Sequence, residues 1–198
     1  MTPHSAETTW KVTEASNHLH VFFNRLRLPL YAVLDAARDP RILSLLAQSG
    51  CEYRILYGNK LAATMDGLGP YLVALPRGTP FLQRLIQKGW GNSWGIFLTC
   101  PAVLPAVRRH LRKSLVVKFP DSSQALFRFY DPRVLRDHLP SCGDEELDRF
   151  FGPIHSIYLE PATGQELNSS SQVLEFANEH PLVRNSYSTF PQIICEDL

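Results

Sequence analysis

The sequence has little of what would assign a function directly. It has no excess charge of one sign: 20 Lys and Arg stand against 19 Asp and Glu, a formal net of +1 over 198 residues. That balance supplies no strong field toward DNA, RNA or anionic lipid. No apolar run approaches the roughly eighteen residues of a membrane-spanning helix, so no membrane partner is expected. Met1-Thr2-Pro3-His4-Ser5 has neither a basic n-region nor an apolar h-region, and no secretory signal is expected. The four cysteines, Cys51, Cys100, Cys142 and Cys195, form no C-x-x-C pair. Their wide spacing fits small thiols in a reducing cytoplasm, not a disulfide frame or a zinc site. Gly67-Leu68-Gly69-Pro70 is too short for a phosphate loop and precedes a strand, not a helix. No cofactor is therefore expected.

What is present is an ordinary globular composition, 44% hydrophobic and 11% aromatic. A chain of this size and content can bury a core without metals or cross-links, and it is too aromatic for low-complexity disorder. Leu19, Phe22, Phe23 and Leu26 recur at helical spacing, and a helix is expected from Glu14 to Arg25, stopped by Pro29. Leu30 to Leu34 reads as a buried strand. Asp39-Pro40-Arg41, Thr79-Pro80 and Asp131-Pro132-Arg133 each place a capping side chain before a proline and a helical apolar pattern. Gly50 and Gly89 fall where C-terminal caps belong. Further strands are expected over Cys51–Tyr57, Tyr71–Leu75, Trp94–Leu98 and Ile154–Leu159. A hairpin of Leu115–Phe119 and Ala125–Tyr130 is expected around Pro120-Asp121-Ser122-Ser123. Val103–Leu111 and the segment through Leu147, Phe150 and Phe151 read as helices. The expected fold class is α/β: a mixed sheet of about six to seven strands with helices packed against it, plus a C-terminal extension. Within that extension, 160–198, a short helix is expected at Gln172 to Asn178.

Three motifs invite chemistry. Gly91-Asn92-Ser93-Trp94-Gly95 matches the G-x-S-x-G turn of serine hydrolases, and Asp137, His155 and His180 follow as nominal triad partners. The hydrolase turn needs a strand before the serine and a helix after it, whereas here the order is reversed. The context favours a core-anchoring turn built on glycine and tryptophan. Arg108-Arg109-His110-Leu111-Arg112-Lys113 could meet phosphate, nucleic acid or an acidic partner. It lacks interleaved aromatics for base stacking and fits a solvated helix end. His18 and His20, two apart on a helix, point in nearly opposite directions and make no metal site.

Phe127-Arg128-Phe129-Tyr130-Asp131 is more informative. Read as a strand, it puts Arg128 and Tyr130 on one face. An arginine there needs a carboxylate, and Asp35 or Asp131 could supply it. A buried structural ion pair is the expected role, with recognition of a ligand as the alternative.

Five blocks occur in order: Leu34–Pro40, Gly69–Val73, Trp90–Leu98, Leu126–Leu135 and Phe150–Ile154. Together, over about Leu30 to Leu159, they resemble the domain-of-unknown-function family that serves as effector adaptors, or chaperones, of bacterial type VI secretion. The resemblance implies a non-enzymatic role in the cytoplasm of a Gram-negative bacterium. The chain would bind a toxic effector and help load it onto a VgrG-type spike. The implied organisation is an N-terminal arm and helix (1–29), the adaptor domain (30–159) and the extension (160–198). Arg128, Tyr130 and Arg133 match a family block and are candidate partner contacts. Val173, Leu174, Phe176, Tyr187 and Phe190 are candidates for a flap over an apolar groove, the alternative being a tail packed on its own domain.

Overall fold

The computed structural model describes residues 16–65, 67–118, 123–162, 173–178 and 186–188. The N-terminal arm, Cys195, Phe190 and the hairpin turn at 119–122 lie outside the described residues. Helix α1 covers 16–25. Strand β1 (Leu30–Asp35), helix α2 (Arg41–Ala47), strand β2 (Tyr53–Ile55) and helix α3 (Asn59–Thr64) follow. Then come β3 (Pro70–Leu75), α4 (Pro80–Gly89), β4 (Gly95–Thr99), α5 (Leu104–Leu111) and a 3-10 turn at Arg112–Leu115. The remaining elements are β5 (Val116–Lys118), β6 (Gln124–Leu126), α6 (Pro132–His138), α7 (Asp144–Phe151), β7 (Ser156–Leu159), β8 (Val173–Ala177) and β9 (Ser186–Ser188).

The chain is α/β, as expected, with a seven-stranded sheet in the order β2-β3-β1-β4-β7-β8-β9 and a separate pair β5-β6. Every neighbouring pair is antiparallel, whereas a mixed sheet was expected. The crossover through α4 explains the difference. Strands β3 and β4 run the same way, but both pair with β1, which lies between them. The helix-linked parallel strands are present and never adjacent.

All six residues of β1 are buried, because both of its faces are covered. Leu30, Ala32 and Leu34 join Leu19 and Phe23 of α1, Ile42 and Leu46 of α2, and Phe81, Leu82, Leu85 and Ile86 of α4. Tyr31 and Val33 join Val107 and Leu111 of α5, Leu135 of α6, and Phe150 and Phe151 of α7 on the opposite face. The sheet is the middle layer between two layers of helices. Phe23 lies on Phe97 with ring centroids 4.6 Å apart, so α1 is an integral part of the core.

The expected caps form at Thr79 and Asp131, whereas at α2 the N-cap is Pro40 itself, without a side-chain cap bond. The Thr79 side chain accepts from Phe81 N, and the Asp131 carboxylate accepts from Arg133 N at 3.1 Å. The Asp39 carboxylate accepts from Arg41 N at 2.9 Å. Gly50 has φ 66° just past α2. Gly89, by contrast, is the last residue of α4, where a Cβ would meet the Trp94 ring at 2.8 Å. The short helix α3 had no periodic signal of its own.

Two expectations are corrected. Residues 173–177 form strand β8, not a helix, and pair with β7. In β8, Val173 (0% exposed) faces one core layer while Leu174 and Phe176 (1% each) face the other. Buried on both sides of the sheet, they are core residues and not a flap. Tyr187 lies in β9, the edge strand beyond β8. The second correction is the end of the hairpin. The strand β6 stops at Leu126, and residues 127–130 form a loop and turn. The Arg128 carbonyl accepts from Asp131 N at 2.9 Å, and that turn sends Phe129 and Tyr130 into the core.

Candidate functional site

One end of the sheet gathers charged and aromatic groups from four separate stretches of chain. Strand β1 ends there at Asp35, β3 and β4 begin there, and β7 ends there just before Glu160. The loop 127–131 and the start of α6 close over that end. Four of the five family-like blocks meet here. The fifth, Phe150–Ile154, lies toward the other end, where His155 N donates to Thr99 O.

The centre is a pair of buried carboxylates beneath half-open arginines. Arg128 donates to Asp35 at 2.6 Å and lies 3.9 Å from Asp131. Both partners expected from the sequence are therefore engaged. Arg133 forks onto Asp131, with Nε on Oδ1 at 2.9 Å and a terminal nitrogen on Oδ2 at 2.6 Å. The Asp35 and Asp131 side chains are 3% and 4% exposed, whereas Arg128 and Arg133 are each 48% exposed. The ion pair is thus not a buried one. Its carboxylates face the core and its guanidiniums face solvent.

These positions set the protonation states. Burial pushes the Asp131 carboxyl up, but the Arg133 hydrogen bonds and the charges of Arg133 and Arg128 outweigh it, and the net direction is down. Burial alone would lower Arg128. The Asp35 carboxylate reverses that, so the guanidinium stays charged. Tyr130 is 3% exposed, its hydroxyl is 3.0 Å from that of Tyr57, and Arg128 sits 5.9 Å over its ring. Burial pushes its phenol well above the ordinary range. Tyr130 therefore supports Arg128 from within the core and presents no contact surface of its own, because the turn at 128–131 points it inward.

A second arginine pair continues the rim. Arg41 forks onto Asp39, with contacts of 2.6 to 3.1 Å, and lies 5.2 Å over the Trp94 ring. Arg38 reaches the Asn92 carbonyl at 3.4 Å. The Arg41 hydrogen bonds hold the Asp39 carboxyl at about 2 against an ordinary 3.8. Between those values the unfolded chain binds more protons than the native one. Stability contributed by this pair is present above pH 3.8 and is lost as pH falls toward 2. Urea midpoints measured across that window are expected to fall less steeply for Asp39→Asn than for the native chain. The difference is small, because Arg41 is 61% exposed. Equal slopes would remove this role for Asp39.

The G-x-S-x-G turn joins the same end, in a way the sequence does not foretell. Gly91 N donates to one oxygen of the Glu160 carboxylate at 2.7 Å. Ser93 N and Ser93 Oγ each donate to the other at 2.9 Å. Glu160 is 6% exposed, and burial pushes its carboxyl up against those three hydrogen bonds. The turn works as a nest for a carboxylate. Helix α4 precedes it and strand β4 follows it, so the order is the reverse of a nucleophile elbow. Arg136 of α6 donates to the Glu160 carbonyl at 2.9 Å. Neither Glu160 nor Arg136 was a candidate from the sequence. The available signal was a lone glutamate directly after a fully buried strand, which demands donors.

The basic run 108–113 does not act as one patch. The side chain of Arg108 turns inward to the Ile55 carbonyl at 2.8 Å, and His110 reaches the Phe150 carbonyl at 2.7 Å. Arg109, Arg112 and Lys113 remain exposed. Among the described residues no group of three or more His, Cys, Asp or Glu is placed to hold a metal ion. His18 is exposed and His20 half-buried on α1. Among the described residues the three cysteines are free thiols, and no helix is long and apolar enough to cross a membrane.

Comparison with known proteins matches residues 30–149 to the family model described as Domain of unknown function (DUF4123). No curated protein matches the chain. No solved structure matches it either.

Proposed function

This chain belongs to the DUF4123 family, and we propose that it is an effector adaptor, or chaperone, of bacterial type VI secretion. In this reading it binds a toxic effector in the cytoplasm and brings it to a VgrG-type spike, and the arginine rim is part of its contact surface. The observation that carries the reading is the layering of charge at the sheet end. Buried Asp35 and Asp131 hold Arg128 and Arg133 in place, and each guanidinium remains half open. An arginine oriented in advance loses little freedom on binding and suits carboxylates or carbonyl groups of a polypeptide. The resemblance supports the same site, since four of its blocks converge there.

The mechanism is stoichiometric. Binding stabilises or shields one region of the effector by mass action, and no covalent bond changes. Ser93 fits this reading as a fold element, because its hydroxyl is already donated to Glu160.

Co-expression with effector candidates encoded by neighbouring genes, followed by pull-down, tests the proposal. The toxin is expected to co-purify and to reach the spike only when this chain is present. The Arg133→Ala variant is expected to weaken the complex about thirtyfold, as loss of a hot-spot arginine of about 2 kcal/mol does. A toxin that stays soluble and loads equally well without this chain removes the assignment.

A further inference from the structure

The hairpin β5-β6 stands apart from the seven-stranded sheet. A two-stranded ribbon is marginal in water unless something covers it. This one carries exposed apolar side chains on both faces. Val116 (44% exposed) is paired with Leu126 (48%), and Val117 (40%) with exposed Ala125. Its register also leaves an open main-chain edge. Phe127 N donates to the Leu115 carbonyl at 2.9 Å. Bonded pairs alternate along an antiparallel ladder, so Val117–Ala125 is the next bonded pair. Gln124 and Leu126 then aim their N–H and C=O groups away from β5. Among the described residues no hydrogen bond from another element reaches those groups.

The base of the ribbon is basic. Exposed Arg112 and Lys113 lie in the turn that leads into β5, and Arg128 follows β6 by two residues. From residue 104 to 120 the sequence holds five Lys or Arg and no Asp or Glu. Of these, Arg108 turns inward to the Ile55 carbonyl, which leaves Arg109, Arg112 and Lys113 exposed beside the ribbon.

We propose that β6 is a strand-addition edge for an extended segment of the partner polypeptide. An apolar residue of that segment packs beside Leu126, the exposed apolar side chain on that edge. Acidic residues at one of its ends meet Arg112, Lys113 and Arg128. Main-chain bonds supply affinity, and the apolar and basic positions supply selectivity. A second copy of this chain is the less complementary occupant, since its own segment is equally basic. The inference rests on the adaptor reading and adds where and how the partner is held.

The test uses the full chain and an effector candidate encoded by a neighbouring gene, with the dissociation constant measured by calorimetry. Gln124→Pro removes an outward donor that the hairpin itself does not use, as edge strands tolerate. Leu126→Lys removes the apolar contact. Each is expected to weaken binding at least tenfold with little change in melting temperature. The pair Arg112→Glu and Lys113→Glu is expected to weaken binding similarly and to lessen its salt dependence. Hydrogen exchange on the unaltered complex, which needs no variant to fold, should slow the Gln124 and Leu126 amides at least tenfold. A native-strength complex that is indifferent to all these changes, with no amide protection, overturns the strand-addition edge and leaves the adaptor reading standing. No complex with the native chain ends both. A concentration-dependent dimer that Leu126→Lys abolishes assigns the edge to a second copy and also overturns the proposal.

Discussion

Gly95→Ala is expected to leave little or no natively folded protein. Gly95 begins β4 opposite Leu34 of β1, at the centre of the sheet. A Cβ there would overlap the Val33 carbonyl oxygen and lie 2.9 Å from Val33 C and 3.0 Å from Leu34 Cα. All three are main-chain atoms of β1, so no rotamer change relieves the contact. The two central strands would have to separate, and with them both helix layers that close on β1. A loss of about 4 kcal/mol or more is expected, the range reached when packing at the centre of a core is broken. That is a large share of a typical domain's stability, about 5–15 kcal/mol. Gly50→Ala is the control. Its φ of 66° disfavours a side chain, but no atom lies within 4 Å of the added Cβ. It should cost only about 1 kcal/mol from backbone conformation. Soluble yield and thermal unfolding of the two variants separate the effects. A Gly95→Ala protein that melts with the native chain would contradict the close approach of β1 and β4.

Glu160→Ala is the other change with a large expected effect, at about 2–4 kcal/mol. The carboxylate receives three hydrogen bonds, from Gly91 N, Ser93 N and Ser93 Oγ, all between 2.7 and 2.9 Å. Removing it deprives two main-chain donors of a charged acceptor, a bond worth about 1.5–3 kcal/mol each, and water replaces part of it because Gly91 is exposed and Ser93 half-buried. The turn also contains a residue held off its preferred conformation, since Ser93 has φ 54°. Without the carboxylate, less holds that conformation in place. Glu160→Gln should recover only part of the loss, because an amide offers one accepting oxygen where the carboxylate offers two. Ser93→Ala should cost about 1–2 kcal/mol, for one hydrogen bond to a charged acceptor. Chemical denaturation of the three variants gives the order Ala, then Gln at position 160, then Ala at position 93. Equal stability across the set would mean that the nest does not hold the turn. Arg136 of α6 donates to the Glu160 main-chain carbonyl, which alanine retains, so the Glu160→Ala variant should keep that link to α6 while losing the nest.

Local signals in the sequence determined a great deal. The caps at Thr79 and Asp131, the apolar runs of β1, β3, β4 and β7, and the pairing of the two hairpin strands could be read directly. Each depends only on residues a few positions apart. Even the shortlist for Arg128, Asp35 or Asp131, follows from the cost of leaving a charge unpaired. Tertiary structure decided what depends on distant partners. Residues 173–177 hold Val173, Leu174 and Phe176, a spacing that suits either a helix or a strand. The unpaired edge of β7 chose the strand, because pairing there satisfies the main chain and buries both faces. The chain leaves β6 after Leu126, and beyond it Arg128 reaches Asp35, 93 positions away in the sequence. The Gly91–Ser93 turn gained its role only when β7 delivered Glu160 beside it. A side chain's need for a partner is written in its own chemistry. Which partner it finds, and whether it then faces solvent or core, depends on how the strands are ordered, and no short-range pattern encodes that order.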